Sequence, residues 1–269
     1  MPAIDLRRLS REVDRLRSAF ASPGDVVRGA VDILDFYAER ARRPAAVPAP
    51  QDRGRSLDVP APVLRAIGIG LQTQAGMQPD NNWPVVQALW DADLRETRVL
   101  ACWVLSGLND PAVARWIELR TADMEDPSVL EAVIERALLG WRRSSGKAYI
   151  EQMERWLGAS NSVLHALGLR GLLAGLEMPE LEDLHRAFQA LGHLPHPVRG
   201  EARLALGALL AALAKRSPAE TTRFLLEGIE HDLPGMERQA RSLLAALPQT
   251  QRERLTAVLA ASSARNAST

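Results

Sequence analysis

The sequence contains little cysteine and few aromatic residues. One of its 269 residues is cysteine, and phenylalanine, tryptophan and tyrosine together make up 4%. A single cysteine excludes an internal disulfide framework and a cysteine-rich zinc site. Because Cys102 lies in the apolar stretch LACWVL, we expect it to be a small, buried hydrophobic residue.

The chain also lacks the two-residue alternation of apolar and polar side chains that is typical of β-strands. Apolar residues make up 46% of the chain, and alanine and leucine carry most of that fraction. These residues favour closely packed helices, whereas strands are enriched in β-branched and aromatic residues. The composition therefore predicts an all-α fold.

Long apolar runs are missing as well. The longest strongly apolar run, residues 205–214, is about half as long as a membrane-spanning helix. Charged residues begin at Asp5, so the first residues lack the apolar core of a signal peptide. We expect a cytoplasmic protein that does not bind a membrane.

No sequence motif indicates a nucleotide, a metal or a hydrolase triad. The chain has no glycine-rich phosphate loop, no HExxH motif and no GxSxG motif. His193 and His196 could offer two nitrogens to a metal, but Pro195 lies between them and no carboxylate or thiol is close in sequence. We interpret this segment as a loop before a helix, and we expect neither a metal nor a cofactor.

The charge is balanced overall but unevenly distributed. The chain has 33 basic and 33 acidic residues; residues 1–56 and 141–269 each carry a net +3, whereas residues 57–140 carry −6. A protein built mainly to hold a phosphate backbone usually shows a basic excess or a basic stripe. The acidic middle segment argues against general nucleic-acid binding but is compatible with a local basic groove.

Several dipeptides predict the first residues of helices. Ser22-Pro23, Asp110-Pro111 and Asp126-Pro127 each place a capping side chain before a proline at the first helical position. Apolar residues at three- and four-residue spacing continue these helices. The predicted helices cover residues 5–20, 22–43, 82–90, 95–108, 146–157, 161–175 and 181–191, with others beginning near residues 60, 111, 127 and 218. Asn82 is the predicted cap of the helix that ends at Trp90.

The last third of the chain shows internal similarity. Ala166-Leu167-Gly168 recurs 39 residues later as Ala205-Leu206-Gly207, and each copy leads into a run of leucine and alanine. This period is typical of paired helices stacked as a HEAT-like α-solenoid. We predict one such domain over residues 1–262, with an extended proline-rich connection at 44–58 and a disordered tail at 263–269. The alternative is an irregular helical bundle.

Three segments, in order along the chain, carry a family resemblance. They are VPAPVLR at residues 59–65, VQALWD followed by LRETR at residues 86–98, and WLGASN at residues 156–161. Together they resemble the HEAT-like DNA alkylation repair family, the alkylpurine DNA glycosylases built from stacked helix pairs. The resemblance covers roughly residues 55–175. It implies a helical solenoid and descent from proteins that excise alkylated bases.

The chain differs from this family in the segment that contains the family's catalytic residues. The family has a W-D-x-x-D motif there, and its last aspartate is tied to catalysis. In the matching stretch, TADMEDPSV, Met124 stands in place of the tryptophan and Pro127 or Ser128 in place of that aspartate. Further on, Val163 and Ala166 occupy the places of a tryptophan and of an arginine that approaches DNA. The resemblance therefore implies a family member without the catalytic motif.

Three acidic residues in this stretch remain alternative catalytic candidates. Asp123, Glu125 and Asp126 could place negative charge beside the cationic sugar that develops during base excision. Asp126 also precedes Pro127, which predicts a helix cap. Asp123 and Glu125 are equally compatible with a solvated turn.

A cluster of basic and aromatic residues is the predicted binding surface. Trp141, Arg142 and Arg143 with Lys147 could hold a phosphate or an acidic partner helix. The alternative is that these are exposed cations near the carbonyl ends of helices, with the tryptophans in the core. Further candidates for the same surface are Trp156, Arg170, Arg199 and Arg203.

From the sequence we predict a non-catalytic binding or scaffold protein whose concave face binds a macromolecule, either protein or nucleic acid. The alternative is a working alkylpurine DNA glycosylase with a rearranged acidic site.

Overall fold

A computed structural model describes residues 4–41, 56–108, 111–124, 126–182 and 184–266. Within these ranges the chain forms helices, turns and loops, and no residue lies in a β-strand. The all-α prediction is therefore confirmed for this part of the chain. The residues group into two compact units, residues 1–145 and residues 146–269. The single HEAT-like domain over residues 1–262 stays a prediction.

Unit 1 is built from eight α-helices in the described ranges, with a π-helical turn at Val133–Ala137. The helices are α1 Leu6–Ser18, α2 Pro23–Ala41, α3 Ala61–Met77, α4 Asn82–Asp91, α5 Arg95–Leu105, α6 Ala112–Glu118, α7 Pro127–Ala132 and α8 Leu139–Ser144. Alternate helices pack on one another, since α1 contacts α3, α3 contacts α5, and α5 contacts α7 and the π turn. Helices α2 and α4 pair in the same way.

Unit 2 contains the remaining helices, α9 Gly146–Leu157, α10 Ser162–Gly175, α11 His185–Gly192, α12 Gly200–Arg216, α13 Pro218–Glu230, α14 Met236–Leu243 and α15 Gln249–Asn266. Here α10 packs on α12, and α12 packs on α14. The two copies of the Ala-Leu-Gly sequence lie on α10 and α12. The repeat seen in the sequence therefore corresponds to two helices that contact each other.

Most predicted helix boundaries agree with the structure, and three require correction. Asp126 caps α7 as expected, because its carboxylate accepts a 2.8 Å hydrogen bond from the Ser128 N–H. Asn82 is not a cap: its buried amide lies in the first turn of α4 and donates to the Ala75 carbonyl. The helix predicted from residue 181 begins at His185, after a short 3-10 turn. Helix α5 ends at Leu105, three residues before the predicted end.

Some predictions fall on residues outside the described ranges. These are the cap at Asp110, the acidic candidate Glu125, most of the proline-rich connection, and the last residues of the tail. Cys102 is fully buried, as expected, and burial raises the pKa of its thiol. None of the described helices combines the length and apolar composition that crossing a membrane requires.

A buried carboxylate fixes the chain as it approaches α3. Glu96 on α5 accepts hydrogen bonds from the backbone N–H groups of Leu57 and Asp58 at 3.3 and 3.1 Å. The Ser56 hydroxyl and the Arg95 guanidinium also donate to it, at 3.0 and 2.8 Å. A buried carboxylate is stable only when it is paired and hydrogen-bonded in this way. Glu96 therefore sets where α3 begins relative to α5.

Helices α3 and α5 approach closely at Gly68. A Cβ atom at this position would lie 2.5 Å from a ring carbon of Trp103. The absence of a side chain at Gly68 thus allows the indole to lie against the backbone of α3. Gly76, on the same helix, has no atom within 4 Å of the equivalent point.

We predict that Gly68→Ala lowers the free energy of unfolding by about 1–3 kcal/mol, because the added methyl group overlaps the Trp103 ring. Gly76→Ala is the matched control and should leave stability unchanged or raise it by up to about 1 kcal/mol, since alanine is the better helix former. Thermal unfolding followed by circular dichroism measures both. Equal stability of the two variants would contradict the close approach.

Candidate functional site

Unit 1 contains a groove between α3, α5 and α7 with its π turn, here called the α3–α7 groove. Its volume is about 700 Å³. Arg65 and Ile69 lie on the α3 wall, Trp103 lies at the base on α5, and Glu131 and Glu135 lie on the opposite wall. The residues on each wall recur at three- to four-residue spacing, so each helix presents one face to the groove.

The groove is mixed in charge and partly apolar. Arg65, Glu131 and Glu135 are exposed, and Ile69 keeps 49% of its surface exposed. Glu135 lies 3.8 Å from the Arg142 guanidinium. Glu131 forms no hydrogen bond or ion pair with another described residue, so its carboxylate is free to meet a ligand.

A cation already covers the aromatic surface of the groove. The guanidinium carbon of Arg136, in the π turn, lies 4.1 Å from the centre of the Trp103 ring. Trp103 itself is only 7% exposed. An arginine within about 6 Å of an indole centroid forms a favourable cation–π interaction. The face of the Trp103 ring that lies toward Arg136 is therefore occupied by the protein.

Asp123 contacts a tryptophan away from this groove. Its carboxylate accepts a 3.2 Å hydrogen bond from the Trp90 indole N–H, and its backbone carbonyl accepts one from Arg98 at 3.1 Å. Trp90 is buried and lies edge-on to Trp116, with ring centroids 4.8 Å apart. Asp123 is exposed and does not line the α3–α7 groove.

The other acidic candidates do not form a common site with Asp123. Asp126 caps the N-terminus of α7 by accepting a hydrogen bond from the Ser128 N–H. Glu125 lies outside the described residues. In the described part of the chain, no three His, Cys, Asp or Glu side chains come close enough to hold a metal ion.

The predicted basic and aromatic surface divides between the two units. In unit 1, Trp141 is buried, while Arg142 and Arg143 lie in the last turn of α8, where cations interact favourably with the carbonyl end of the helix. In unit 2, Lys147 is exposed in the first turn of α9, and Trp156 is buried in the core. Trp141 and Trp156 therefore stabilise the fold. Binding by the three cations stays a prediction.

The three remaining arginines of unit 2 have different surroundings. Arg170 on α10 forms a half-buried ion pair with Glu201 on α12 at 2.9 Å. Arg199 is exposed and is the N-cap residue of α12. Its position at this end of the helix is therefore not explained by the favourable interaction of a cation with the carbonyl end of a helix. Arg203 is exposed and lines a second cavity. Arg170 and Arg203 lie on α10 and α12, which pack on each other.

A protein-family model matches the chain. The model described as "DNA alkylation repair enzyme" matches residues 38–244, which is more than half of the chain. The chain belongs to the DNA alkylation repair enzyme family. Neither the curated proteins nor the solved structures gave a match.

The sequence did not point to the groove of this family member. The sequence does not single out Trp103, Glu131, Glu135 or Arg136. The available signal was the pair Glu131 and Glu135, four residues apart after the helix start at Asp126. That signal is weak, because acidic residues at this spacing usually form a solvated helix face.

The carboxylate that caps α7 should matter for stability, whereas an exposed carboxylate without a described partner should not. We predict that Asp126→Ala lowers the free energy of unfolding by about 0.5–2 kcal/mol, because α7 loses its N-cap. Glu131→Ala is the control and should change it by less than about 0.5 kcal/mol, since its exposed carboxylate has no described partner. Asp126→Ser, which keeps a capping oxygen, should restore most of the stability. A larger effect at Glu131, measured by thermal unfolding, would contradict these assignments.

Proposed function

We propose that the protein is a non-catalytic binding member of the DNA alkylation repair enzyme family, built as a HEAT-like α-solenoid. The alternate packing of helices within each unit supports the solenoid. The family match supports a surface that has evolved around a macromolecule.

Excision of a cationic alkylated purine sets two physical requirements. An aromatic face must be free to stack on the base, and a carboxylate must lie beside the cationic sugar that develops as the bond breaks. Both must stand in one site, because the base and its sugar are covalently joined.

The covered face of Trp103 is the observation that carries the proposal. Arg136 occupies the ring at 4.1 Å, and the groove around it holds arginines as well as glutamates. A cationic base would have to displace a cation of the protein and would be repelled by it. The α3–α7 groove is thus suited to a binding partner and poorly suited to a cationic lesion.

The segment that matches the family's catalytic motif supports the same conclusion. Met124, which stands in place of the motif tryptophan, is fully buried in the core of unit 1. Its side chain therefore has no exposed surface with which to contact a base. Asp126 caps α7, and Asp123 is exposed against Trp90. No described carboxylate of this segment lines the groove.

A second candidate, an active glycosylase, is favoured by Glu131. Its carboxylate is exposed on the groove wall, has no described partner, and shares the cavity with Trp103. If Arg136 moved away from the ring, a carboxylate and an aromatic face would be present together. Glu131 would then supply the negative charge.

The experiment that separates the two is release of methylated purines from duplex DNA. We predict no release above the rate without protein, because no free aromatic face accompanies a carboxylate. Glu131→Gln and Asp123→Asn are the controls, and both substitute exposed residues. Release above background that either substitution abolishes would overturn the non-catalytic proposal.

A further inference from the structure

Apolar side chains line the α3–α7 groove along its base and on one wall. Val99 and Trp103 lie one helical turn apart on α5. On the α3 wall, Leu64 is half-buried and Ile69 keeps 49% of its surface exposed. Apolar surface gains free energy when a partner removes it from water.

The two walls of the groove carry charges of opposite sign. Arg65 lies on the α3 wall, whereas Glu131 and Glu135 lie on α7 and its π turn. Arg65 and Glu131 are exposed, and neither forms a hydrogen bond or ion pair with another described residue. The groove therefore presents an available cation on one side and an available carboxylate on the other.

This distribution of charge fits a protein better than a nucleic acid. The cations Arg65 and Arg136 are balanced by the anions Glu131 and Glu135, and residues 57–140 carry a net −6. A phosphate backbone would bring negative charge against the two glutamates without the basic excess that binds it. A protein segment can carry both signs of charge beside an apolar face, and so can match both walls.

The surroundings of the groove favour a helix over an extended segment. The described residues that line it all belong to α3, α5, α7 or the π turn. An added β-strand needs the free backbone groups of a sheet edge, and a polyproline segment needs exposed aromatic rings. Trp103, the aromatic residue among the described lining residues, is 7% exposed and lies under Arg136. A helix satisfies its own backbone groups and needs only an apolar face.

The groove is long enough for about two turns of such a helix. On α3 the lining residues run from Ala61 to Ile69, and on the opposite wall from Ser128 to Arg136. Each stretch covers roughly 12 Å, because an α-helix rises about 1.5 Å per residue. Two turns present apolar anchors at positions i, i+3 or i+4, and i+7 of the partner.

We propose that the α3–α7 groove binds an amphipathic helix of a partner protein. The apolar face of that helix covers Val99, Trp103 and Ile69, with a lysine or arginine toward Glu131 and an acidic residue toward Arg65. The helix site rests on the proposed non-catalytic binding function and names the class of partner. Its support is the charge and the apolar surface of the groove.

The test selects ligands for the full chain from a displayed library of peptides of about 18 residues, which is long enough for a helix. The library has a helix-forming background, with one face and both its flanks randomised. We expect enriched peptides to carry apolar residues at helical spacing, a basic residue on one flank and an acidic residue on the other.

Charge reversal then tests the orientation of an enriched peptide. Glu131→Arg should weaken its binding about tenfold, and replacing the basic flank residue of the peptide by glutamate should restore most of the lost affinity. Asp35→Arg makes the same charge change at an exposed site of α2 outside the groove, and should alter affinity by less than about twofold.

The apolar contact is tested with a second pair of variants. Ile69→Ala should weaken binding of the same peptide about fivefold to tenfold, because apolar surface covered by the helix is lost. Met77→Ala, at a position of α3 that is 65% exposed and outside the groove, is the matched control. All four positions are exposed, and circular dichroism checks that the variants fold.

Three results would overturn the helix site: no enrichment of helical peptides, unchanged peptide affinity in Glu131→Arg or in Ile69→Ala, or displacement of the peptide by a random-sequence DNA duplex. The last would assign the groove to a nucleic acid. Purine release tests the non-catalytic proposal separately. Release together with the expected peptide binding would overturn only the non-catalytic role, whereas no release and no enrichment would overturn only the helix site.

Discussion

The contact between Arg136 and Trp103 is the interaction on which the functional account depends. Gly68 lets the indole lie against α3, and the π turn places the guanidinium over the ring at 4.1 Å. The groove of unit 1 therefore holds a cation of the protein over the aromatic ring that lines its described part. Because a cation–π contact is worth about 0.5–2 kcal/mol, a competing cationic base would first have to offset that energy.

Most of the carboxylates near these contacts are likewise bound to other groups of the protein. In unit 1, Glu96 is used to anchor the chain before α3, Asp126 caps α7, and Asp123 accepts from Trp90. Only Glu131 is left on the groove wall without a described partner. In unit 2, Glu201 pairs with Arg170 and Glu237 pairs with Arg241. Of the carboxylates named in this paragraph, all but Glu131 therefore have a partner within the described part of the protein.

Local features were predictable from the sequence, and contacts between distant segments were not. The cap at Asp126 and the burial of Cys102 follow from neighbouring residues, and three short motifs were enough to indicate the family. The position of Arg136 over Trp103 could not be predicted from the sequence, because the π turn at Val133–Ala137 breaks the α-helical periodicity that assigns residues to faces. The hydrogen bonds of Glu96 could not be predicted either, since its partners lie 38–40 residues away in the sequence. Trp141 and Trp156 were placed on the predicted surface but are buried.

The most direct measurement of the central claim compares the affinity of the protein for two duplexes that differ by one methylated purine. If Arg136 covers the only aromatic surface of the described part of the groove, the two dissociation constants should agree within about twofold, well below the tenfold that about 1.4 kcal/mol produces. Tighter binding of the methylated duplex by about tenfold or more, abolished in Trp103→Ala, would show that the ring is available to a cationic base and would contradict the account.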